Sequence, residues 1–520
     1  MKPPPPTHAA REAAASSASA AARRADPVPS PPALLDDSAT GTADPGATDP
    51  TITQAGEAVL EGRLAEMSLL RQVAVLAVWP FFELLLNSLV GVVDTALAGR
   101  LNAVALDAIG VAAYIGWLIG MLHTSLGVGA GALISRKIGG RKRTQADAAL
   151  GQALILALIW GAITAAVIAA GAPWIAAIFS LPEATHELAV TYLRVVAVGA
   201  AAGGVMVVGN ACLRAAGDTR TPFLLMVLVN VVNAAMSLLF TFGPAPWGGW
   251  GVAGIAAGTA VAWFVGAALV VATLLRGGFR SVGKVPLRLR LRWLKLRWRL
   301  GRRIVRVGLP SLIESSGMWV GNAIIGGFVG ILIARTATDG LMGAHIIGIR
   351  IESLSFLPGA AIGMAAATLM GQYLGAGRPD LAKRAVGLCW GIGVGIMSVM
   401  GVLFLLIPGW FAALLAPGEA MAGVREMAVP LLRICGPIQV FFGTYLILSQ
   451  ALRGAGDTRG PMMITYASTF LVRLPAAYLL ALPLGFGLTG MWFGLCGELV
   501  VRGLLYVWRF RAGRWQTIKV

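Results

Sequence analysis

From about Leu70 onward the chain alternates long apolar stretches with short polar breaks, and it does so twelve times. Each stretch has about 20 residues or more, enough to cross a ~30 Å hydrocarbon layer as a helix that satisfies its own backbone. The predicted helices cover 70–98, 104–135, 147–171, 187–213, 221–242 and 251–275, then 304–334, 340–370, 384–409, 425–452, 461–482 and 488–508. The pattern therefore predicts an all-α integral membrane protein, with six spans on each side of a basic midchain segment.

When the connections are assigned alternately to the two sides of the membrane, the basic residues separate. The connection after the second helix holds Arg136, Lys137, Arg141, Lys142 and Arg143, and the midchain connection holds eleven basic residues from Arg276 to Arg303. Segments 172–186, 243–250, 410–424 and 483–488 hold none; Arg100 and Arg335 are the exceptions. Such a bias places the even-numbered connections and both termini in the cytoplasm, and the protein in the cell (inner) membrane. The net charge of +18 is then a topology signal set against anionic lipid headgroups, and it calls for no nucleic acid partner. Leu287, Leu291, Leu294 and Trp298 fall on one helical stripe of the midchain run, which suits an amphipathic connector lying on the inner leaflet; a solvated linker tethering the two halves is the equal alternative.

Composition agrees: 57% hydrophobic and 13% charged residues exclude a set of soluble domains. Residues 1–65 are rich in Pro, Ala, Ser, Thr and Asp with hardly an aromatic, and read as a disordered cytoplasmic tail. They contain no apolar core of a cleaved secretory signal. Cys212, Cys389, Cys435 and Cys496 lie in or beside apolar helices and read as small core residues.

The chain also repeats itself. Leu213-Arg214-Ala215-Ala216-Gly217-Asp218-Thr219-Arg220-Thr221-Pro222 returns 239 positions later as Leu452-Arg453-Gly454-Ala455-Gly456-Asp457-Thr458-Arg459-Gly460-Pro461, with eight of ten residues identical. Ala189, Val190, Leu193 and Arg194 recur at the same offset as Ala428, Val429, Leu432 and Arg433. Two fused copies of a membrane-embedded unit are the usual build of a secondary transporter. The units are taken as an N-terminal lobe, 66–275, a basic linker, 276–303, and a C-terminal lobe, 304–520. Asp218 and Asp457, with Pro222 and Pro461 following, fit structural capping of the next helix in each repeat turn.

Together with the segments Val93-Asp94-Thr95-Ala96-Leu97-Ala98-Gly99-Arg100-Leu101 and Met370-Gly371-Gln372-Tyr373-Leu374-Gly375-Ala376-Gly377-Arg378, the repeated turn resembles the multidrug and toxic compound extrusion (MATE) family, prokaryotic type. Pro80 fourteen residues before Asp94, Ala344-His345 opening the eighth helix, and Gly251-Val252-Ala253-Gly254 leading to Thr259 support the likeness over residues 70–510. The resemblance implies a monomeric exporter of organic, often cationic or amphipathic, small molecules by antiport with protons or sodium, without a cofactor. It further implies twelve helices in two pseudo-twofold related lobes around a central cleft that opens to either side in turn.

Read from the residues, Asp94 is an acid near the outer end of an apolar helix. A carboxylate in lipid costs about 2.5–3.5 kcal/mol, so it should face the bundle interior or water. There it could take up a proton, or join nearby oxygens around a hard cation such as sodium. The resemblance puts the family's coupling acid at this position. Asn230 and Asn233 in the fifth helix, Ser237 one turn on, and Thr259 in the sixth are candidate partners, as oxygen ligands or as interhelical hydrogen bonds. Prokaryotic relatives often carry a second acid where this chain has Ser237. Glu83, eleven residues before Asp94 and about 16 Å along the same helix face, and Glu314 in the seventh helix are candidate second coupling acids. Arg350, Glu352 and Arg473 are further intramembrane charges, expected to pair among themselves or with Glu314. Position 324, aligned with Asp94, is Ile324, so coupling is expected in the first lobe.

No Gly-x-x-x-x-Gly-Lys-Ser/Thr loop occurs, which leaves ion gradients as the driver. One charge crossing 100 mV supplies about 2.3 kcal/mol and one pH unit about 1.4, enough for a several-hundredfold substrate gradient. A lipid-linked oligosaccharide or lipid flippase of the same superfamily is the nearest alternative; twelve helices and Asp94 argue against it. An intramembrane enzyme lacks its motifs, since no His-Glu-x-x-His pair or Gly-x-Ser-x-Gly elbow is present and His123 and His345 stand alone.

Overall fold

A computed structural model describes Leu60, residues 64–177, 182–277 and 287–518; the proposed tail 1–65 thus falls mostly outside the described residues. Among these residues all regular structure is helical, and twelve helices are long and apolar enough to cross a membrane. The first six are α1 (Leu69–Leu101), α2 (Ala103–Gly139), α3 (Arg143–Ala177), α4 (Glu183–Ala215), α5 (Arg220–Phe242) and α6 (Val252–Arg276). The second six are α7 (Trp298–Thr336), α8 (Leu341–Gly375), α9 (Pro379–Leu406), α10 (Ala422–Gly454), α11 (Arg459–Ala481) and α12 (Gly487–Arg511). The protein is a multi-pass membrane protein of two six-helix lobes.

Local chemistry explains the ends of these helices. Asn102 separates α1 from α2 and caps the latter, its Oδ1 accepting from the Ala105 N–H at 2.7 Å. The repeat turns need a left-handed residue after α4 and α10, and glycine supplies it at Gly217 (φ 93°) and Gly456 (φ 86°). In α11 the residues Ser468–Arg473 widen into a π-helical turn immediately before Pro475, which has no N–H to give. One helix was not anticipated: Pro408 ends α9 and restarts the chain as a short helix, Pro408–Leu415.

Within each lobe the fourth helix of the unit is the hub. In the first lobe α4 packs against α2, α3 and α6; in the second α10 packs against α8, α9 and α12. The lobes meet through α2 and α8, with α1 reaching across to α8 and α7 to α2, the pseudo-twofold arrangement that the repeat implies. At the ends of α2 and α8 the backbones nearly touch: a Cβ at Gly139 would collide with the Gln372 main chain, and one at Gly375 with that of Arg136. Two hydrogen bonds hold this seam, Gln372 Nε2 to the Ala215 carbonyl at 3.1 Å and Thr368 Oγ1 to the Arg214 carbonyl at 3.2 Å. Glycines farther along, Gly91, Gly99, Gly110, Gly116 and Gly120, face open space instead. The lobes are thus sealed at the end that carries the basic connections.

The midchain segment departs from the predicted continuous amphipathic stripe. Leu287 is buried, whereas Leu291 and Trp298 are exposed, and among the described residues of the segment only one short turn, Leu291–Trp293, precedes α7. Two buried side chains of α3 seize the backbone and prevent a helix from forming. Asp147 accepts from the Arg288 N–H at 2.9 Å; Gln152 donates to the Trp293 and Lys295 carbonyls and accepts from the Arg297 N–H.

Candidate functional site

Asp94 lies two turns from the end of α1 and is 6% exposed. Its Oδ2 accepts from Thr259 Oγ1 of α6 at 3.3 Å and from the Tyr192 hydroxyl of α4 at 3.4 Å. Thr259 Oγ1 accepts in turn from Asn233 Nδ2 of α5 at 3.0 Å. Four helices of one lobe thus converge on a single carboxylate. The approach of α5 to α6 is set by Gly258, where a Cβ would strike Ser237, so the adjoining Thr259 reaches the centre. Oδ1 of Asp94 is buried with no hydrogen-bond partner, and among the described residues no basic side chain pairs with this acid.

Chemically this is a buried acid ringed by neutral groups that can reverse roles. Hydroxyls that donate to a carboxylate can accept from a carboxylic acid, so a proton can be taken up without moving the helices. The same oxygens suit a hard monovalent cation, with the carboxylate supplying the charge. Among the described residues no group of three or more His, Cys, Asp or Glu forms a metal site.

The expected partners fare differently. Asn233 and Thr259 join Asp94, while Asn230 turns away and bonds the Met226 carbonyl of its own helix at 2.8 Å. Ser237 is buried at the α5–α6 contact, its Oγ 3.4 Å from the Ile255 carbonyl. Tyr192 escaped the sequence reading, because one phenol in an Ala- and Val-rich helix carries no spacing signal.

Both candidate second acids are paired. Glu83 Oε1 meets Arg214 Nη1 at 2.5 Å, and Glu314 Oε2 meets Arg453 Nη2 at 2.8 Å with Thr465 Oγ1 donating to its other oxygen. Arg214 and Arg453 are the same position of the repeat, so each lobe ties its first helix to its fourth by one ion pair. Arg453, not Arg350 or Arg473, is therefore the partner of Glu314. Arg350 is exposed, and Arg473 reaches Asn322 at 3.1 Å. Arg214 and Arg453 line a cavity of about 130 Å³ between the lobes, walled by α2, α4, α8 and α10.

The repeat-turn acids sit as caps. Asp218 accepts from the Thr221 N–H at 3.0 Å, and Asp457 from the Gly460 N–H at 3.1 Å and from Arg509. His345 is satisfied by Trp492 at 3.1 Å. A charged cluster in α12, Glu498 with Arg502, went unnoticed in a span read as apolar, although its spacing of four was the available signal.

A family model described as MatE matches residues 81–239 and 310–479. The chain is similar to a probable multidrug resistance protein NorM of Thermotoga maritima, 28% identical over 434 residues that cover 84% of this chain and 90% of the relative. It is 34% identical over 213 residues to the multidrug resistance protein NorM of Burkholderia vietnamiensis, covering 39% of this chain and 46% of that one. In fold it resembles the outward-facing conformation of a multidrug resistance MATE family transporter, with a TM-score of 0.76 at 23% identity, covering 86% of this chain and 97% of the other.

Proposed function

This chain belongs to the MatE family, and from that premise we propose that it is a secondary active exporter of organic compounds, driven by the antiport of a proton or sodium ion bound at Asp94. The observation that carries the reading is the carboxylate itself. It is buried, unpaired by any cation among the described residues, and ringed by Tyr192, Thr259 and, through Thr259, Asn233. An unpaired acid at membrane depth is costly unless an ion from outside occupies it, and that ion is the coupling ion. Cargo release and ion binding then alternate as the lobes rock about the α2–α8 seam. The basic connections face the cytoplasm, so the sealed end is the inner end and the cleft faces out. In this reading Glu83 and Glu314 hold helices in place and do not couple, because each already has its counter-charge.

The test is efflux of a fluorescent organic cation from vesicles containing the purified protein, driven first by a sodium gradient alone and then by a pH gradient alone. One of the two should accelerate efflux severalfold over vesicles without a gradient. If neither does, the antiport reading is wrong.

A further inference from the structure

After α12 the chain turns back on the protein. Gly513 takes the left-handed conformation (φ 68°) that closes the helix, and one short turn, Arg514–Gln516, follows. Trp515 folds onto Phe510, with ring centroids 5.4 Å apart and planes 11° from parallel, and its Nε1 donates to the Phe510 carbonyl at 2.8 Å. It is 1% exposed and shares one buried cluster with Tyr373, Leu381 and Ala455 of the second lobe and with Leu60 and Leu64, which precede α1. A ring so enclosed, with its N–H satisfied, is an anchor. The offset of 239 residues puts Arg276 opposite Trp515, so the duplication does not supply it.

Beyond this anchor the chain crosses to the other lobe. The Ile518 carbonyl accepts from Arg136 Nη1, a bond between residues 382 positions apart, and Arg136 stands in the last turn of α2. That is where the backbones of the two lobes nearly touch, since a Cβ at Gly375 of α8 would collide with the Arg136 main chain. The last residues are therefore rooted in the second lobe and tied to a guanidinium of the first, across the seam. Any rocking that opens the inner end has to part α2 from α8. It then either breaks the bond of Arg136 to Ile518 or pulls Trp515 out of its pocket.

We propose that residues 513–518 are a strap that holds the inner end of the seam shut and lets go each time the lobes rock that end open. This rests on the alternating exporter reading above and adds a control on its inner gate. A hydrogen bond from a charged donor favours the strapped state roughly tenfold or more, so losing it shifts the balance toward the inner-open state by that factor.

The test reads how often the inner end opens. Ser135 of α2 is 2% exposed and packs against Gly371 of α8, so Ser135→Cys, in a background lacking the four native cysteines, reacts only when the seam parts. The full chain is labelled with a membrane-impermeant maleimide in inverted membrane vesicles, whose cytoplasmic face is outward. Arg136→Gln should raise the labelling rate about tenfold. A chain ended after Gln516, which keeps Trp515 in place and removes the Ile518 carbonyl, should do the same. The two changes together should be no faster than either alone, because they cut one contact from its two ends. An unchanged rate in Arg136→Gln, or rates that multiply in the double variant, overturns the proposal. Labelling needs no gradient, so variants that behave as stated in a protein that neither gradient drives would sink the exporter reading and leave the strap standing.

Discussion

Replacing Glu314 by Gln separates a structural role from a coupling role. The carboxylate side chain is 1% exposed and lies 2.8 Å from Arg453, whose side chain is 16% exposed. Gln keeps the shape and can still accept from Thr465, but it leaves the guanidinium without a counter-charge between packed helices. Breaking a buried pair from one side costs about 3–5 kcal/mol, whereas removing both charges is close to neutral. For a cooperative unit of the size of one lobe, about 2–4 °C of melting temperature is lost per kcal/mol, so the single variant should melt roughly 6–20 °C lower. Glu314→Gln combined with Arg453→Met should regain most of that loss. The assay is thermal unfolding of the detergent-purified protein, run as a double-mutant cycle with vesicle efflux measured alongside. Undiminished melting of Glu314→Gln together with abolished efflux would refute the reasoning and make Glu314 a coupling acid.

The pair in the other lobe is less enclosed, with Glu83 at 6% and Arg214 at 18% side-chain exposure, so Glu83→Gln should lower the melting temperature by less than Glu314→Gln does in the same assay. At the seam, Gly139→Leu has no room against the Gln372 backbone. It should push the lobes apart at the basic end, seen as at least severalfold faster maleimide labelling of a cysteine placed at Ala132 in a background lacking the four native cysteines. Asp147→Ala with Gln152→Ala frees the midchain backbone, and trypsin should then cut after Arg290, Arg292 or Lys295 at least tenfold faster; an unchanged rate would mean that other contacts hold the segment.

The apolar periodicity carried most of the architecture. All twelve spans appear within several residues of their predicted ends, because a lipid-crossing helix needs a length and a polarity that composition alone reveals. The repeat turn also located the two pseudo-twofold related halves. What stayed hidden were contacts between distant segments. Arg214 and Arg453 were visible as repeated residues, yet nothing local says that each reaches back 131 or 139 positions to a carboxylate. Tyr192 and Asp94 are 98 residues apart and meet only by the reach of the phenol, since α4 packs against α2, α3 and α6 and not along α1. The midchain stripe misled because its periodicity was helical, while the backbone donors it would have used are taken by Asp147 and Gln152. Asn230 and Asn233 share a face by spacing, but one amide back-bonds its own helix, a choice that spacing cannot reveal.

Efflux by Asp94→Asn protein is the most direct measurement. In vesicles carrying whichever gradient drives the wild-type protein, the variant should insert and bind cargo yet show no acceleration of efflux by that gradient. Gradient-driven efflux at the wild-type rate would contradict the account.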